Sequence, residues 1–497
     1  MSNITRHSSW LIISFIITAL LNYVFGVTLS WFFTPAQFGL LGVAQSLLLV
    51  LALIVGSGFA WTAAHDVAAE GVTPRTRRRF RAAWLANVAL GVFLAAALWL
   101  AYATGRLPLG PGYRAVIPLV GFTTVVLAAR SVLNGAARGL YRFGPIAVNL
   151  SGEVVIKVGV GLALVAAGMG VAGVMAGFAV GALAALAHSL WMVWSARLWR
   201  GAGRFDGAVL SATAPLFLGM LGPVLMLNFD LLGLKLLAPA GQGDELAGYY
   251  QAAVILARTP VFIAQSLTLV LFSYAAGAAS RAKKPGPDGT SGYVLTVVRA
   301  WGIFLLPGGL ALMLAPQAAL ALFFPPHYQA AAPTLRISAA GGVLLALVTL
   351  LNGVFQAGTS RRRPALAAGL AMVAQAAALV TLVPRLGAAG AAWSLLAGGG
   401  AALLGLAPAL IPHLGLRLHF AWPKTVLPLA ALAFPLLVLT GTTAASAALK
   451  LGLAGLAYLA ALLALRLPLT GLAKAGAGAR PAMGNSLINF IAALIGE

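Results

Sequence analysis

The chain is a succession of apolar runs, each long enough to cross a lipid bilayer, and one block of these runs is written twice. The first copy reads Leu133-Asn134-Gly135, an Arg-containing loop, Pro145, then Gly170-Val171-Ala172-Gly173. The second reads Leu351-Asn352-Gly353, Arg361-Arg362-Arg363, Pro364, then Gly387-Ala388-Ala389-Gly390. The copies stand 218 residues apart at the asparagine (352 − 134) and 217 apart at the last glycine (390 − 173). A weaker match, Phe38-Gly39-Leu40 with Ala247-Gly248-Tyr249, extends the repeat toward its start. Helices rich in Ala, Gly and Leu resemble one another by composition, but here Asn, Pro and the paired glycines recur in the same order. A duplicated block of apolar helices is a recurring plan of secondary transporters, whose two halves rock about a central site.

Composition sets the solvent. Only 8% of the 497 residues are charged and 61% are hydrophobic. A soluble domain carries roughly a quarter of its residues as charges, so the apolar excess faces lipid. The net charge of +23 invites a nucleic-acid partner, but the positive residues sit in short loops between apolar runs. That is the positive-inside pattern of a membrane protein, and it argues against nucleic acid. With no cysteine, the chain forms no disulfide, zinc ribbon or thiol nucleophile. The short segment Met1 to His7 carries Arg6, and the apolar run behind it shows no small-residue cleavage site, so it reads as an uncleaved first span.

At roughly 20 residues per span, fourteen spans are expected, at 10–33, 40–64, 83–104, 114–136, 145–167, 171–195, 209–237, 248–276, 292–314, 331–354, 365–384, 388–411, 425–443 and 448–468. With the N-terminus inside, the cytoplasmic segments collect 22 Lys and Arg, led by Arg75, Arg77, Arg78, Arg79 and Arg81, and the opposite loops hold four, Arg106, Arg114, Arg385 and Lys450. This bias predicts a multi-pass membrane protein with an even number of spans and both termini in the cytoplasm. The expected fold is all-α. Spans one to six form an N-lobe (1–208), spans seven to twelve a C-lobe (209–411) in parallel orientation, and spans thirteen and fourteen with the tail (412–497) lie outside the repeat. Pro215, Pro223, Pro260 and Pro307 mark kinks.

Enzyme chemistry has little to work with. There is no HExxH, GxSxG or Walker loop, no paired carboxylates, and only nine acids in total. No catalytic residue, metal site or cofactor is expected. The informative residues are charges inside spans: Arg130, Glu153, Lys157, Asp230, Lys235, Arg258, Arg299 and Arg336. Each costs about 3 kcal/mol or more at mid-bilayer, so each faces an interior cavity or a partner. Glu153 and Lys157 are four apart on one helix face: either they neutralise each other, or Lys157 faces the cavity and Glu153 tunes it. Asp230 and Lys235 are five apart, about 140° around a helix, and need partners elsewhere. Arg130 and Arg336 lie near span ends, where Arg130 snorkels. Lys157, Arg258 and Arg299 then form a cationic cavity suited to a phosphate or pyrophosphate, with Asp230 as a proton or sodium coupling site and Glu153 as a gating residue. A cation exporter is expected to show the opposite balance.

Certain stretches resemble a known family. Phe33-Thr34-Pro35-Ala36-Gln37-Phe38-Gly39-Leu40 with Ala44-Gln45-Ser46, Asn228-Phe229-Asp230, Gly248-Tyr249-Tyr250-Gln251-Ala252-Ala253 leading to Arg258, and Pro384-Arg385-Leu386-Gly387-Ala388-Ala389-Gly390-Ala391-Ala392 are similar to the multidrug/oligosaccharidyl-lipid/polysaccharide (MOP) exporter superfamily, in its polysaccharide-transporter, O-antigen flippase-like branch. The resemblance covers most of residues 10–411. It implies a flippase for undecaprenyl-pyrophosphate-linked oligosaccharide working by alternating access, with Arg258 and Lys157 on the pyrophosphate. The implied partners are the lipid-linked glycan, membrane lipids, and polysaccharide polymerase or assembly proteins. The alternatives are a lipid II flippase, a multidrug exporter, and a non-transporting scaffold of a glycan-synthesis complex. Lipid II flippases typically carry an Arg in the first span, where this chain has no charge between Trp10 and Phe33.

Overall fold

A computed structural model of the chain describes residues 2–196, 198–199, 227–265, 267–268, 294, 297–299, 301–357, 362–414, 422–439 and 443–464. The described residues are helical, and ten of their helices are long and apolar enough to cross a membrane, or eleven if one bent pair is counted as a span. The first part of expected span seven and the basic residues Arg200, Arg204, Arg281, Lys283 and Lys284 lie outside the described residues. The chain divides into two compact units, Met1–Gln251 with Ala376–Ala391, and Ala252–Gln375 with Ala392–Glu497.

The first unit is built on α1 (Ser2–Ser30), α2 (Pro35–Gly56), α3 (Phe59–Glu70), α4 (Pro74–Ala103), α5 (Val116–Gly139), α6 (Phe143–Ala166), α7 (Gly170–Trp194), α8 (227–237) and the start of α9 (Gly243–Ala257). Helix starts follow local chemistry. Thr34 caps α2 with a capping box to Gln37 and Pro35 behind it, and Thr73 caps α4 with Pro74 behind it. Expected span two is two helices, α2 and α3, broken at Ser57–Gly58, where Gly58 has φ of 66°. A break exposes backbone carbonyls that lipid cannot satisfy. Here the Val55 carbonyl accepts from Asn87 Nδ2 (2.9 Å) and Ser131 Oγ (2.8 Å), and Asn87 also donates to Ala128 O (2.8 Å). Asn87, in α4, is therefore a buried repair of a span's own break.

Close helix crossings are made by glycine. A Cβ on Gly135 of α5 would stand 2.1 Å from the Ala60 carbonyl oxygen of α3. The clearest crossing joins α2 to α9. A Cβ on Gly39 would stand 1.8 Å from Asp244 O, and one on Gly248 would stand 1.8 Å from Pro35 O. Positions 35 and 244, and 39 and 248, are both 209 apart, so the contact is self-complementary under the repeat. The same symmetry appears at the turns: Gly170 and Gly387 adopt φ of 55° and 54°, each three residues before a glycine (Gly173, Gly390) packed against the preceding helix at Leu164 and Leu382. At these positions the matching words of the sequence also match in backbone geometry.

The second unit contains the end of α9, α10 (Thr259–Gln265), a π-turn at Trp301–Leu305, α11 (Leu306–Leu314), α12 (Pro316–Phe323), α13 (Ala332–Ala357), most of α14 (Arg362–Leu386) and α15 (Ala388–Leu414), α16 (Trp422–Val438) and α17 (Ala444–Ala464). The last two helices, beyond the repeat, pack through Leu432, Leu436, Ala447, Ala454 and Tyr458 onto Ala315 and Ala318. Tyr458 OH donates to the Ile303 carbonyl inside the π-turn at 2.7 Å. Elsewhere large apolar side chains point outward in helical rows, such as Leu366, Leu370 and Val373 on α14 and Leu449, Leu453, Leu456 and Leu463 on α17. Such rows are stable only against lipid.

Candidate functional site

In the first unit the charged residues expected in spans are brought together, but not in the pairs that spacing suggested. Three glycines of α7 one turn apart, Gly173, Gly177 and Gly181, admit α6 closely. A Cβ on Gly177 would stand 2.7 Å from Gly161 Cα, and one on Gly181 would stand 2.9 Å from the Glu153 carbonyl oxygen and 3.0 Å from Lys157 Cβ. With α7 seated there, Glu153 and Lys157 reach to other helices. Glu153 pairs with the guanidinium of Arg130 on α5. Arg130 therefore pairs inside the span instead of snorkelling, because a carboxylate is within reach and a long climb to water is not needed. Lys157 is 7% exposed. Its Nζ donates to Asn22 Oδ1 on α1 and lies 4.5 Å from the centroid of the Phe178 ring on α7. The i, i+4 pair Glu153–Lys157 is thus replaced by two pairs that cross between helices.

Asp230, on α8, is fully buried. Its Oδ2 accepts from Tyr250 OH (2.8 Å) on α9, and its Oδ1 accepts from the Leu231 amide (2.8 Å). Lys235 takes Asp244 at 2.7 Å, in the first turn of α9, where the helix dipole favours an acid. Tyr113 OH also donates to Asp244 Oδ1, at 2.8 Å. Burial, and then the Asp244 carboxylate beside it, push the Tyr113 hydroxyl well above its ordinary value, so it remains a donor at any physiological pH. These groups surround the Gly39–Gly248 crossing and fasten that end of the unit.

In the second unit Arg258 occupies the joint between α9 and α10, which meet at 45°. Pro260 lacks an amide hydrogen. It thus leaves the Leu256 carbonyl without its i−4 donor, while the Arg258 carbonyl accepts from both Val261 N (2.9 Å) and Phe262 N (3.1 Å). Gly342 of α13 makes room for the joint: a Cβ there would stand 2.0 Å from Ala257 O. Arg258 is half-buried and Arg299, just before the π-turn, is exposed. Arg336 donates through Nε to Met313 O at 3.1 Å. Among the described residues no group of three or more His, Asp or Glu side chains is placed to hold a metal ion.

Asn22 and Tyr113 escaped the reading of the sequence, and Asp244 and Tyr250 carried no site role in it; the lone amide in the run Leu20-Leu21-Asn22-Tyr23 is the local signal that could have marked Asn22.

Comparison with known proteins follows this geometry. None of the curated protein sequences matches the chain. Among solved structures, the fold is similar to "Lipid II flippase MurJ, inward closed conformation", with a TM-score of 0.74 at 13% identity over 93% of this chain and 98% of that chain. It is similar to an inward-facing multidrug resistance MATE family transporter of the MOP superfamily (TM-score 0.67, 14% identity, 80% and 95% covered). A MOP superfamily transporter from Pyrococcus furiosus, described by the reverse polarity of its binding pocket, gives a TM-score of 0.59 at 14% identity over 83% and 96%. These likenesses show that the chain has the fold of those transporters, and its ten or eleven long apolar helices support a multi-pass membrane protein. The family model described as polysaccharide biosynthesis protein matches residues 4–275, more than half the chain, and the protein belongs to that family.

Proposed function

We propose that the protein is a flippase that moves an undecaprenyl-pyrophosphate-linked oligosaccharide across the bacterial cytoplasmic membrane by alternating access, for cell-surface polysaccharide synthesis. The observation that carries the reading is Lys157, a cation buried in a span against an amide and an aromatic ring. A buried ammonium with a neutral partner is suited to an anion that arrives from outside the protein. Arg258 at its helix joint and Arg299 supply further positive charge. Family membership supports a polysaccharide-pathway cargo. The likeness to MurJ supports lipid II as the second reading. Deleting the gene and identifying the accumulating lipid-linked glycan on the cytoplasmic face separates them. An undecaprenyl-pyrophosphate oligosaccharide is the expected result. Lipid II selects the second reading, and no accumulation of either favours a scaffold and overturns both.

In this reading both termini and the 71–82 loop are cytoplasmic, and polymerase or assembly proteins receive the flipped glycan. A cysteine at Arg78, an exposed position in a chain without native cysteine, is expected to resist impermeant thiol reagents in intact cells. Labelling there reverses the orientation. The Glu153–Arg130 pair serves gating, since it ties α6 to α5.

Transport runs on a proton or sodium gradient through Asp230. Asp230→Asn keeps the acceptor for Tyr250 but removes the charge. Gradient-driven flipping in liposomes is expected to be lost while substrate still binds. Flipping at the wild-type rate eliminates the coupling role, and a fall in membrane abundance instead marks Asp230 as a structural partner.

A further inference from the structure

The partner of Lys157 is an amide, although a carboxylate lies one turn away on the same helix. Glu153 is turned to Arg130, and the Lys157 ammonium is left to Asn22. The amide is oriented by its own helix. Asn22 Nδ2 donates to the Thr18 carbonyl one turn below at 2.7 Å, so Oδ1 faces the ammonium. Asn22 is exposed while Lys157 is buried, so the amide is the more accessible member of the pair. It is also a hydrogen-bonded tie between α1 and α6, which pack together at Phe25 and Gly161 as well. Another tie is Ser14, whose Oγ lies 2.8 Å from both the Ala147 carbonyl oxygen and Ser151 Oγ.

We infer that Asn22 is a placeholder ligand. It occupies the Lys157 ammonium in the empty transporter and gives way to an anionic oxygen of the substrate's pyrophosphate. The chemistry of the two acceptors decides the exchange. A neutral amide oxygen holds an ammonium well enough to keep it ordered in an apolar wall. A charged phosphate oxygen makes the shorter and stronger bond of the two, and displaces it. A carboxylate at the same place would not yield so readily, because it would form a full ion pair in low dielectric. Exchange also removes a hydrogen bond between α1 and α6, which couples arrival of the charged head to loosening of that helix pair. This inference rests on the proposed role of Lys157 and assigns a specificity-determining role to a residue without charge.

The test uses the full chain in nanodiscs and undecaprenyl pyrophosphate as the probe, with uncharged undecaprenol as the control. Asn22→Asp is nearly isosteric and is expected to weaken undecaprenyl pyrophosphate binding roughly tenfold or more, with undecaprenol binding, abundance and melting temperature unchanged or raised. Asn22→Ala is expected to bind the probe several-fold more tightly, since an internal competitor is gone. A merely structural amide gives the reverse order, with Asn22→Asp at wild-type affinity and Asn22→Ala weakened or unchanged, and either result overturns the inference. Lys157→Gln separates the two levels. If it binds at wild-type affinity, the role of Lys157 itself falls. If it loses binding while Asn22→Asp retains it, only the placeholder falls.

Discussion

Replacing Lys157 or Arg258 by alanine is expected to reduce glycan export to near background while membrane abundance stays close to wild type. A purely structural charge behaves differently. Removing one half of a buried ion pair leaves the other half uncompensated, and such changes are strongly destabilising. Lys157 leaves behind only an amide that already has Thr18 to bond with and an aromatic ring, neither of which suffers from losing a cation. At Arg258 alanine keeps the backbone bonds of the joint, the Arg258 carbonyl with Val261 and Phe262. Arg258→Lys is expected to recover part of the activity, because an ammonium cannot grip a phosphate with the two parallel donors of a guanidinium. The measurement is complementation of the deletion strain with membrane fractions quantified in parallel. Full export by both alanine variants would remove these residues from substrate binding.

Gly39→Ala and Gly248→Ala are each expected to lower stability by about 1–3 kcal/mol or more, read as the thermal transition of the purified protein. The reason is what the new methyl group meets. At both positions it lands 1.8 Å from a backbone oxygen, Asp244 O or Pro35 O, so no rotamer change relieves the clash and α2 must separate from α9. The two substitutions force apart the same crossing, so the double variant is expected to be little worse than either single one. Gly369→Ala in α14 is the control. It is helical and exposed, with nothing within 4 Å of its Cβ, and is expected to be neutral or slightly stabilising. Additive losses at 39 and 248 would show that the two glycines do not share one contact.

The all-helical membrane fold was legible because a span is set by a local quantity, about twenty apolar residues between basic loops; of the fourteen expected spans, ten or eleven stand among the described residues as helices of crossing length. The matched glycines were legible for the same reason, as words in order. What was not legible was which residues meet. Glu153 and Lys157 share a face, and i, i+4 spacing alone left open whether they pair with each other or reach elsewhere. The close approach of α7 at Gly177 and Gly181 turns both side chains toward other helices, a fact held in residues twenty and more positions away. The break in span two went unread because Ser57–Gly58 is as apolar in its surroundings as any small pair in this chain. The donors that make it tolerable, Asn87 and Ser131, come from two later helices. Asn22 carries no charge, so a search for intramembrane ionisable residues passed over it.

The two helices beyond the repeat have a role that their position at the margin conceals. A π-turn frees a carbonyl from the regular ladder, and inside a bilayer such a group has no water to turn to. The Ile303 carbonyl is met by the hydroxyl of Tyr458, which belongs to α17. A helix near the end of the sequence thus completes the backbone bonding of a turn some 155 residues before it, and shortening the chain there would leave that carbonyl facing lipid.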